Sequence, residues 1–591
     1  MYDYGLVGNC QVSALISRMG SVDWLCLPRP DSPPVFGGLL DADGGRFEIE
    51  PEGKVARTEQ RYIDNTNVLQ TNITLDDGSE YSITDFCPRF LLYGRMHRPN
   101  ALFRILERKK GSPAVRVGFR PVDGWTKALP KMTQGNSHIS FDIRGSELRL
   151  TTNLPLTYAM ERCSFVLQEP INFVTTWGSP FEDDIKSVTK DFLARTIGYW
   201  QTWVQYCSIP SLFQKETIRS ALTLKLHCYE DTGAILAALT TSLPEELGQT
   251  RNWDYRYCWL RDAYFVLSAF YQLGHFEEME GFLKFLLNVA HSEANLCPVY
   301  ALDHQRPLQE VEHANWRGYQ NCSPVRSNNQ AAEHVQNDVY GEMILTLAPI
   351  FLDERFQHLR SSEHENLLVR FAECCRNSIN SNDAGLWEVR NHWQPHSYTN
   401  LMCWAGLDRI IKIKERGFLK HLSFNLALDR QNALDATLAA AKDNIVRNGA
   451  SDESLDSSLL LMPILRFPDL PTSRETVNAI EKDLRFELPD KTTNKEGFLY
   501  RYIRPDDFGK PKSAFLACSF WLAQALAKLG EKERGYSILN NVLPASNHLG
   551  LLSEHFEPGR KMQLGNFPQG YSHVGQINAA FAVSPPWAEI L

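Results

Sequence analysis

The chain has 591 residues, with 61 basic and 70 acidic side chains and a formal net charge of −9. With 43% hydrophobic and 22% charged residues, it has the composition of a globular protein, which excludes the disordered and fibrous classes. The length predicts about two to four domains. The acidic balance argues against nucleic acid or an anionic membrane as the main partner, because both select basic surfaces.

The 13 cysteines contain no C-x-x-C pair. This pattern indicates buried free thiols in a reducing compartment rather than a disulfide framework or a zinc knuckle. The N-terminal residues lack the basic and apolar regions of a secretory signal, and no apolar run of about 18 residues occurs. We therefore expect a cytoplasmic protein that does not span a membrane.

The first third of the chain has the pattern of β-strands. Apolar and polar residues alternate over 68–75, 102–106, 139–143 and 148–152, and turn signals such as Asp76-Asp77-Gly78 separate these runs. Many short strands at this spacing predict a β-sandwich, which we assign to residues 1–180.

The pattern changes near Pro180 and becomes helical. A stretch from Phe181 to about Cys207 begins with acidic residues, as helix N-termini do, and predicts a helical linker over 181–212. The remaining residues, 213–591, form a helical domain whose size requires helix pairs in a layered or toroidal arrangement. Its predicted helices are 217–230, 260–273, 276–291, 330–351, 364–379, 399–413, 430–446, 455–465, 472–485, 513–529, 532–542 and 571–582.

The segment Arg251–Asp262 concentrates four aromatic rings, three arginines and two aspartates in twelve residues. Sugar-binding sites need this mixture, because rings pack against the apolar faces of a pyranose and charged planar groups bind neighbouring hydroxyls. Taken alone, the segment is more typical of a capped helix N-terminus followed by core aromatics. A second dense segment, Tyr500–Phe508, precedes an apolar helix and has the same two interpretations.

Two glutamates stand in loops beside aromatic residues. Glu388 follows Trp387, and an apolar wall next to a carboxyl group favours the protonated form that a general acid needs. Glu554 lies between apolar and aromatic neighbours and suits a base that activates water. Taken alone, each glutamate is more typical of a solvated loop or surface residue than of a catalytic group. Together, two carboxyl groups with aromatic and guanidinium neighbours match the requirement of glycoside hydrolysis.

The sequence resembles the prokaryotic members of glycoside hydrolase family 15, which includes glucoamylases, glucodextranases and trehalases. The resemblance extends over essentially the whole chain. The segments that carry it are Tyr4–Cys10, Gly20–Pro33, Thr241–Glu245, Arg251–Asp262, Leu386–Glu388, Met402–Trp404, Arg501–Phe508, Glu554 and Gly565–Pro568. It implies an N-terminal β-sandwich, a helical linker and an (α/α)6 barrel catalytic domain, in agreement with the strand and helix patterns.

The resemblance also implies the roles of individual residues. Glu388 matches the general acid and Glu554 the general base. The residues implied to bind substrate are Tyr255, Trp259, Arg261, Asp262, Trp387, Arg501 and Tyr571, with Arg504 a weaker match than Arg501 for contact with the second sugar. The sequence contains no H-E-x-x-H or EF-hand spacing, so we expect no metal and no cofactor, although some trehalases of the family depend on phosphate and a divalent ion. The expected partner is a carbohydrate.

From these roles we expect an inverting exo-acting α-glucosidase of the glucoamylase type, which removes terminal α-linked glucose from non-reducing ends. Inversion requires the two carboxyl groups to lie about 6.5–9.5 Å apart, with a water between base and sugar. The first alternative is a trehalase, which uses the same pair on α,α-trehalose. A disaccharide phosphorylase and a non-catalytic sugar-binding protein are further alternatives. The linkage, the substrate length and the oligomeric state remain open.

Overall fold

The computed structural model describes residues 1–293, 295–305, 308–486 and 496–591. Its first part is built of strands. In chain order they are β1 Tyr4–Gly8, β2 Ser13–Ser17, β3 Val22–Cys26, β4 Pro34–Phe36, β5 Arg46–Pro51, β6 Val55–Tyr62, β7 Leu69–Leu75, β8 Glu80–Phe86, β9 Phe90–Leu92, β10 Arg95–His97, β11 Ala101–Lys110, β12 Ala114–Arg120, β13 Lys131–Gln134, β14 His138–Ile143, β15 Ser146–Thr152, β16 Phe165–Val166 and β17 Ile171–Trp177.

These strands form two large antiparallel sheets. One sheet has the order β1-β2-β3-β5-β12-β16, with β4 paired to β3, and the other has the order β13-β14-β15-β17-β11-β8-β7-β6. Residues of β7 alternate between buried and half-buried, as expected for a strand with one face in a core. The ring of Phe47 makes an edge-to-face contact with Phe119 in its own sheet and another with Phe173 in the facing sheet. The β-sandwich of the sequence analysis is therefore confirmed.

The rest of the chain is largely helical. The helices are α1 Leu156–Glu161, within the strand-rich part, α2 Ile185–Gln205, α3 Gln214–Lys225, α4 Leu260–Leu273, α5 Glu277–Ser292, α6 Asp338–Leu352, α7 Ser362–Ser378, α8 Ser397–Glu415, α9 Leu426–Leu438, α10 Leu461–Leu465, α11 Leu470–Asp483, α12 Leu516–Lys528, α13 Lys532–Val542 and α14 Gly570–Val583. Short strands between them are β18 Cys228–Tyr229, β19 Ala234–Ile235, β20 Cys258–Trp259, β21 Val299–Tyr300, β22 Val311–Glu312, β23 Arg326–Ser327, β24 Ala441–Lys442, β25 Ile445–Val446, β26 Ala514–Phe515, β27 His555–Glu557 and β28 Met562–Leu564.

The helices after α2 form two concentric rings. The even-numbered helices make the inner ring: α4 packs on α6, α6 on α8, α10 on α12, α12 on α14, and α14 closes the ring on α4, while a one-turn helix, Ser457–Leu460, joins α8 to α10. The odd-numbered helices from α3 to α13 pack outside them. Residues 516–527 of α12 are all buried, because an inner helix contacts neighbours on every side. This is the expected (α/α)6 barrel.

Several helix boundaries differ from those predicted by the sequence. The predicted helix 430–446 ends at Leu438, and β24 and β25 follow as a tight hairpin whose turn residues, Asp443 and Asn444, both have positive φ. Such turns select Asp and Asn, so the turn chemistry outweighed the apolar continuation of the helix. The predicted helix 330–351 begins only at Asp338, after a one-turn helix, Gln330–Glu333.

The last strand of the sandwich ends at Trp177, and α2 ends at Gln205. We retain 1–180, 181–212 and 213–591 as the proposed domain division. The sandwich touches the barrel near its loops: the Tyr2 hydroxyl donates a hydrogen bond to the Gly565 carbonyl at 3.1 Å. Within the described ranges, no helix is both long and apolar enough to cross a bilayer.

Candidate active site

The N-terminal ends of the inner helices meet around one pocket. Arg261 and Asp262 lie in the first turn of α4, and Tyr571 lies in the first turn of α14. Glu388 stands in the loop before α8, and Glu554 immediately precedes β27. Helix N-termini carry partial positive charge, so this end of the barrel favours carboxylates and hydroxyl-rich ligands.

The pocket has an empty volume of about 440 Å³, which includes space open to solvent. The structure brings together all nine residues that the sequence analysis named for the site. They line the pocket together: Tyr255, Trp259, Arg261, Asp262, Trp387, Glu388, Arg501, Glu554 and Tyr571. Arg504 does not line it and instead pairs with Asp456 at 3.1 Å. Of the two arginines, the geometry therefore favours Arg501.

Glu388 is held by two donors at the pocket wall. Its Oε1 accepts hydrogen bonds from Trp259 Nε1 at 2.6 Å and from Arg261 Nη2 at 2.9 Å. Its φ is 61°, in the left-handed region that non-glycine residues adopt mainly where surrounding contacts impose it. The Trp387 indole instead donates to Asp456. The aromatic ring that is hydrogen-bonded to the Glu388 carboxyl is therefore that of Trp259 and not that of Trp387, and the sequence did not predict this contact.

Glu554 is almost completely buried, with 3% of its surface exposed. Its backbone N–H donates to the Asn566 carbonyl at 3.2 Å, and its own carbonyl accepts from the Leu516 N–H at 3.1 Å, so the loop is fixed on both sides. Burial, and next the charge of Glu245, raise the pKa of Glu554 well above its usual range. These surroundings favour a protonated Glu554, whereas a general base must be ionised.

Arg261 and Asp262 form the floor of the pocket. Arg261 Nε donates to the Tyr571 hydroxyl at 2.9 Å, which orients both side chains. Burial raises the pKa of Asp262 to about 7, although the adjacent Arg261 opposes this change. These planar polar groups match the hydroxyl pattern of a sugar ring.

A third buried glutamate, Glu245, lies beside the predicted base. Its Oε2 is 3.1 Å from Arg501 Nη2 and 3.6 Å from His555 Nε2. Glu245, Glu554 and His555 each offer one atom that could bind a metal ion, and these three atoms lie within 4.8 Å of one another. Sequence reasoning missed Glu245 as a site residue. The one signal for it was its position in the segment Thr241–Glu245, which carries the family resemblance.

Three such donors are also a donor set for a divalent cation. The Arg501 guanidinium, however, already neutralises Glu245 and opposes a second positive charge at this point. We therefore interpret the cluster as a place where a proton is shared. The expectation that the protein needs no metal stays a prediction.

A second pocket, with an empty volume of about 500 Å³, adjoins the first. Four side chains line both pockets: Tyr255, Trp387, Glu388 and Arg501. The outer pocket is bordered by the rings of Trp253 and Phe508, whose centroids are 4.9 Å apart. The two pockets therefore adjoin at Glu388, which lines both.

Gly565 leaves the room that the Glu554 side chain occupies. A Cβ at this position would lie 2.5 Å from Glu554 Oε2, and Gly565 has a φ of +71°. We expect Gly565→Ala to lower kcat by about 10²-fold, because a shift of about 1 Å in a reacting group has an effect of this size. The control is Gly530→Ala, at a φ of +91° with no atom within 4 Å of the added Cβ. Both variants should lower Tm, but only Gly565→Ala should lower turnover; equal turnover in the two variants would contradict the prediction.

Fold and site together define a glycoside hydrolase. Residues 211–581 match the family model for glycosyl hydrolases family 15, and residues 3–148 match the model for a trehalase-like N-terminal domain. The chain belongs to glycosyl hydrolases family 15.

Three similar relatives are trehalases. Those of Mycobacterium tuberculosis and Mycolicibacterium smegmatis are each 30% identical, over 98% of this chain and 89% and 91% of theirs. The trehalase of Thermoplasma volcanium is 28% identical over 98% of this chain and 92% of its own. A bacterial glucoamylase solved in complex with acarbose shares the fold, with a TM-score of 0.69 and 13% identity over 98% of this chain and 94% of that one.

Proposed function

We propose that the protein is a trehalase, which hydrolyses α,α-trehalose to two molecules of glucose. The observation that carries this proposal is the similarity to trehalases at 30% identity over 98% of the chain. The sequence alone favours a glucoamylase-type enzyme and leaves a trehalase as the alternative, which this proposal adopts. The solved glucoamylase, at 13% identity, supports the fold alone.

The site geometry is compatible with a disaccharide. In our proposal one glucose occupies the inner pocket, against Arg261, Asp262 and the rings of Tyr255 and Trp259. The other glucose occupies the outer pocket, which Arg501 and Trp387 also line. The bond between the two sugars then lies at Glu388, which lines both pockets.

The proposed mechanism uses Glu388 as general acid and Glu554 as general base. The Glu388 carboxyl gives its proton to the glycosidic oxygen as the bond from that oxygen to the inner glucose breaks, and the bond's electron pair stays on the oxygen. Glu554 takes a proton from a water that attacks the same carbon from the opposite face. Glu388 is then ionised and Glu554 protonated, and proton exchange with solvent restores both.

The substrate is tested by measuring glucose release from a panel of α-glucosides. We expect trehalose to give the highest kcat/KM among trehalose, maltose, isomaltose and maltotriose. Faster hydrolysis of maltose or maltotriose would replace the proposal with the glucoamylase type. Release of glucose 1-phosphate that depends on phosphate would instead identify a phosphorylase.

The stereochemistry is tested by following the product anomers by NMR before they equilibrate. Inversion at the attacked carbon converts α,α-trehalose into one β-glucose and one α-glucose, whereas retention gives two α-glucose molecules. We expect the one-to-one ratio. An initial product that is entirely α-glucose would exclude the inverting mechanism.

A further inference from the structure

Glu245 and His555 form a buried cluster against Glu554, and Glu245 also lines the outer pocket. Glu245 is 4% exposed, His555 1% and Glu554 3%. Glu554 Oε2 and His555 Nε2 lie 3.9 Å apart, and neither has a hydrogen-bond partner among the described residues. Buried polar atoms are nearly always hydrogen-bonded, so this arrangement needs an explanation.

The hydrogen bonds of Ser513 fix the tautomer of His555. The Ser513 hydroxyl donates to the Glu245 carbonyl at 3.0 Å, and its oxygen lies 3.0 Å from His555 Nδ1. Since the hydroxyl hydrogen is already used, Nδ1 must be the donor to Ser513. Burial lowers the pKa of His555 to about 3, so Nε2 carries no proton and presents a lone pair to the carboxyl oxygens.

A lone pair and two carboxylates cannot all face one another in a buried site without a proton between them. The surrounding charges assign that proton to Glu554. Burial raises the pKa of Glu245, but the guanidinium charges, Arg501 foremost and also Arg251, outweigh burial and bring it below the usual range. The charged and titratable groups that act on the two carboxyls are Arg251, Arg501, His555, Asp262 and Tyr255, and Asp506 lies 3.9 Å from Arg501.

We propose that Glu245 is a positioning residue that, together with His555, controls the ionisation of the general base Glu554. The inference rests on the proposed function, because it concerns the base of that reaction. Glu245 stays ionised against Arg501 and holds the shared proton on Glu554. The proton must leave before Glu554 can accept one from water, so the cluster sets the lower pH limit of activity.

The test is the pH dependence of kcat/KM on the best substrate of the panel. Removing the charge of Glu245 makes Glu554 easier to ionise, so the acidic limb of Glu245→Gln should move to lower pH by about one unit or more. The matched control is Glu246→Gln, because Glu246 is the next residue but pairs with Lys512 at 2.8 Å on the surface. Its acidic limb should coincide with that of the wild type. An unchanged limb in Glu245→Gln would overturn the proposal, whatever the change in kcat.

Ser513→Ala provides a second variant if Glu245→Gln does not fold. Without Ser513, the proton of His555 can move to Nε2 and stabilise an ionised Glu554. The acidic limb should therefore move in the same direction, to lower pH. A limb that stays in place would overturn the role of His555.

A measurement without substrate separates this inference from the proposed function. The difference in Tm between Glu554→Gln and its parent is recorded from about pH 4 to 8, in the wild-type and Glu245→Gln backgrounds. We expect the rise of this difference with pH to be smaller in the Glu245→Gln background. If the rise is smaller in the Glu245→Gln background but the protein hydrolyses none of the α-glucosides, the proposed function is rejected and the control of Glu554 by Glu245 is kept. If the protein hydrolyses an α-glucoside but the rise is the same in both backgrounds, only the control of Glu554 by Glu245 is rejected.

Discussion

Glu388→Gln should lower kcat on trehalose by about 10²–10⁴-fold while the protein remains folded. Glutamine keeps the shape of the side chain, and its amide oxygen still accepts the hydrogen bonds from Trp259 and Arg261 that hold Glu388. What it loses is the proton that the leaving oxygen needs. The measurement is initial glucose release, with Tm as the check on folding.

A substrate with a leaving group that needs no proton distinguishes loss of the acid from general damage to the site. α-Glucosyl fluoride is such a substrate, because fluoride departs as a stable anion. Glu388→Gln should retain most of the wild-type rate on this substrate. Equal losses on trehalose and on the fluoride would remove Glu388 from the role of acid. Glu312→Gln, on an exposed side chain outside both pockets, serves as the control.

The fold could be predicted from local patterns because the two halves of the chain have different hydrophobic periods. The alternating burial in β7 and the continuous apolar surface of α12 both arise from runs of consecutive residues, so they can be recognised in the sequence. The predicted helix boundaries were wrong where the residues of a short turn interrupted the apolar pattern of the helix. At Asp443 and Asn444, two residues with positive φ end a helical region that the apolar residues alone would have extended.

The membership of the site could be predicted, but its internal contacts could not. The family resemblance named nine residues, and all nine line one pocket. The hydrogen bond from Trp259 to Glu388 and the approach of Glu245 to Glu554 join segments far apart in the chain. Such contacts depend on the crossing of helices and loops, which periodicity and spacing do not encode. The contact from Tyr2 to Gly565, across the two domains, has the same origin.

Glu554→Gln should abolish activity on trehalose and on α-glucosyl fluoride alike, because water must lose a proton in both reactions. We expect a loss of about 10²–10⁴-fold on each substrate. The contrast with Glu388→Gln, which spares the fluoride, assigns the two roles independently of each other. The matched control is Glu557→Gln, three residues further on, where the side chain faces Arg560 rather than the pocket. A Glu554→Gln variant that retained turnover of the fluoride would contradict the role of base.

The same substitution should stabilise the protein at neutral pH. Because the pKa of Glu554 is raised in the folded state, mainly by burial, the folded protein binds a proton that the unfolded chain releases above about pH 4.3. Stability of the wild type is therefore lost as the pH rises from that value towards the pKa of the folded state, whereas glutamine does not titrate. The Tm of Glu554→Gln should exceed that of the wild type at pH 7, and the two should converge near pH 4. A difference independent of pH would mean that Glu554 is ionised as readily in the folded pocket as in the unfolded chain. The ionised form of Glu554 that catalysis needs is therefore the form that lowers the stability of the folded protein, because burial opposes its charge.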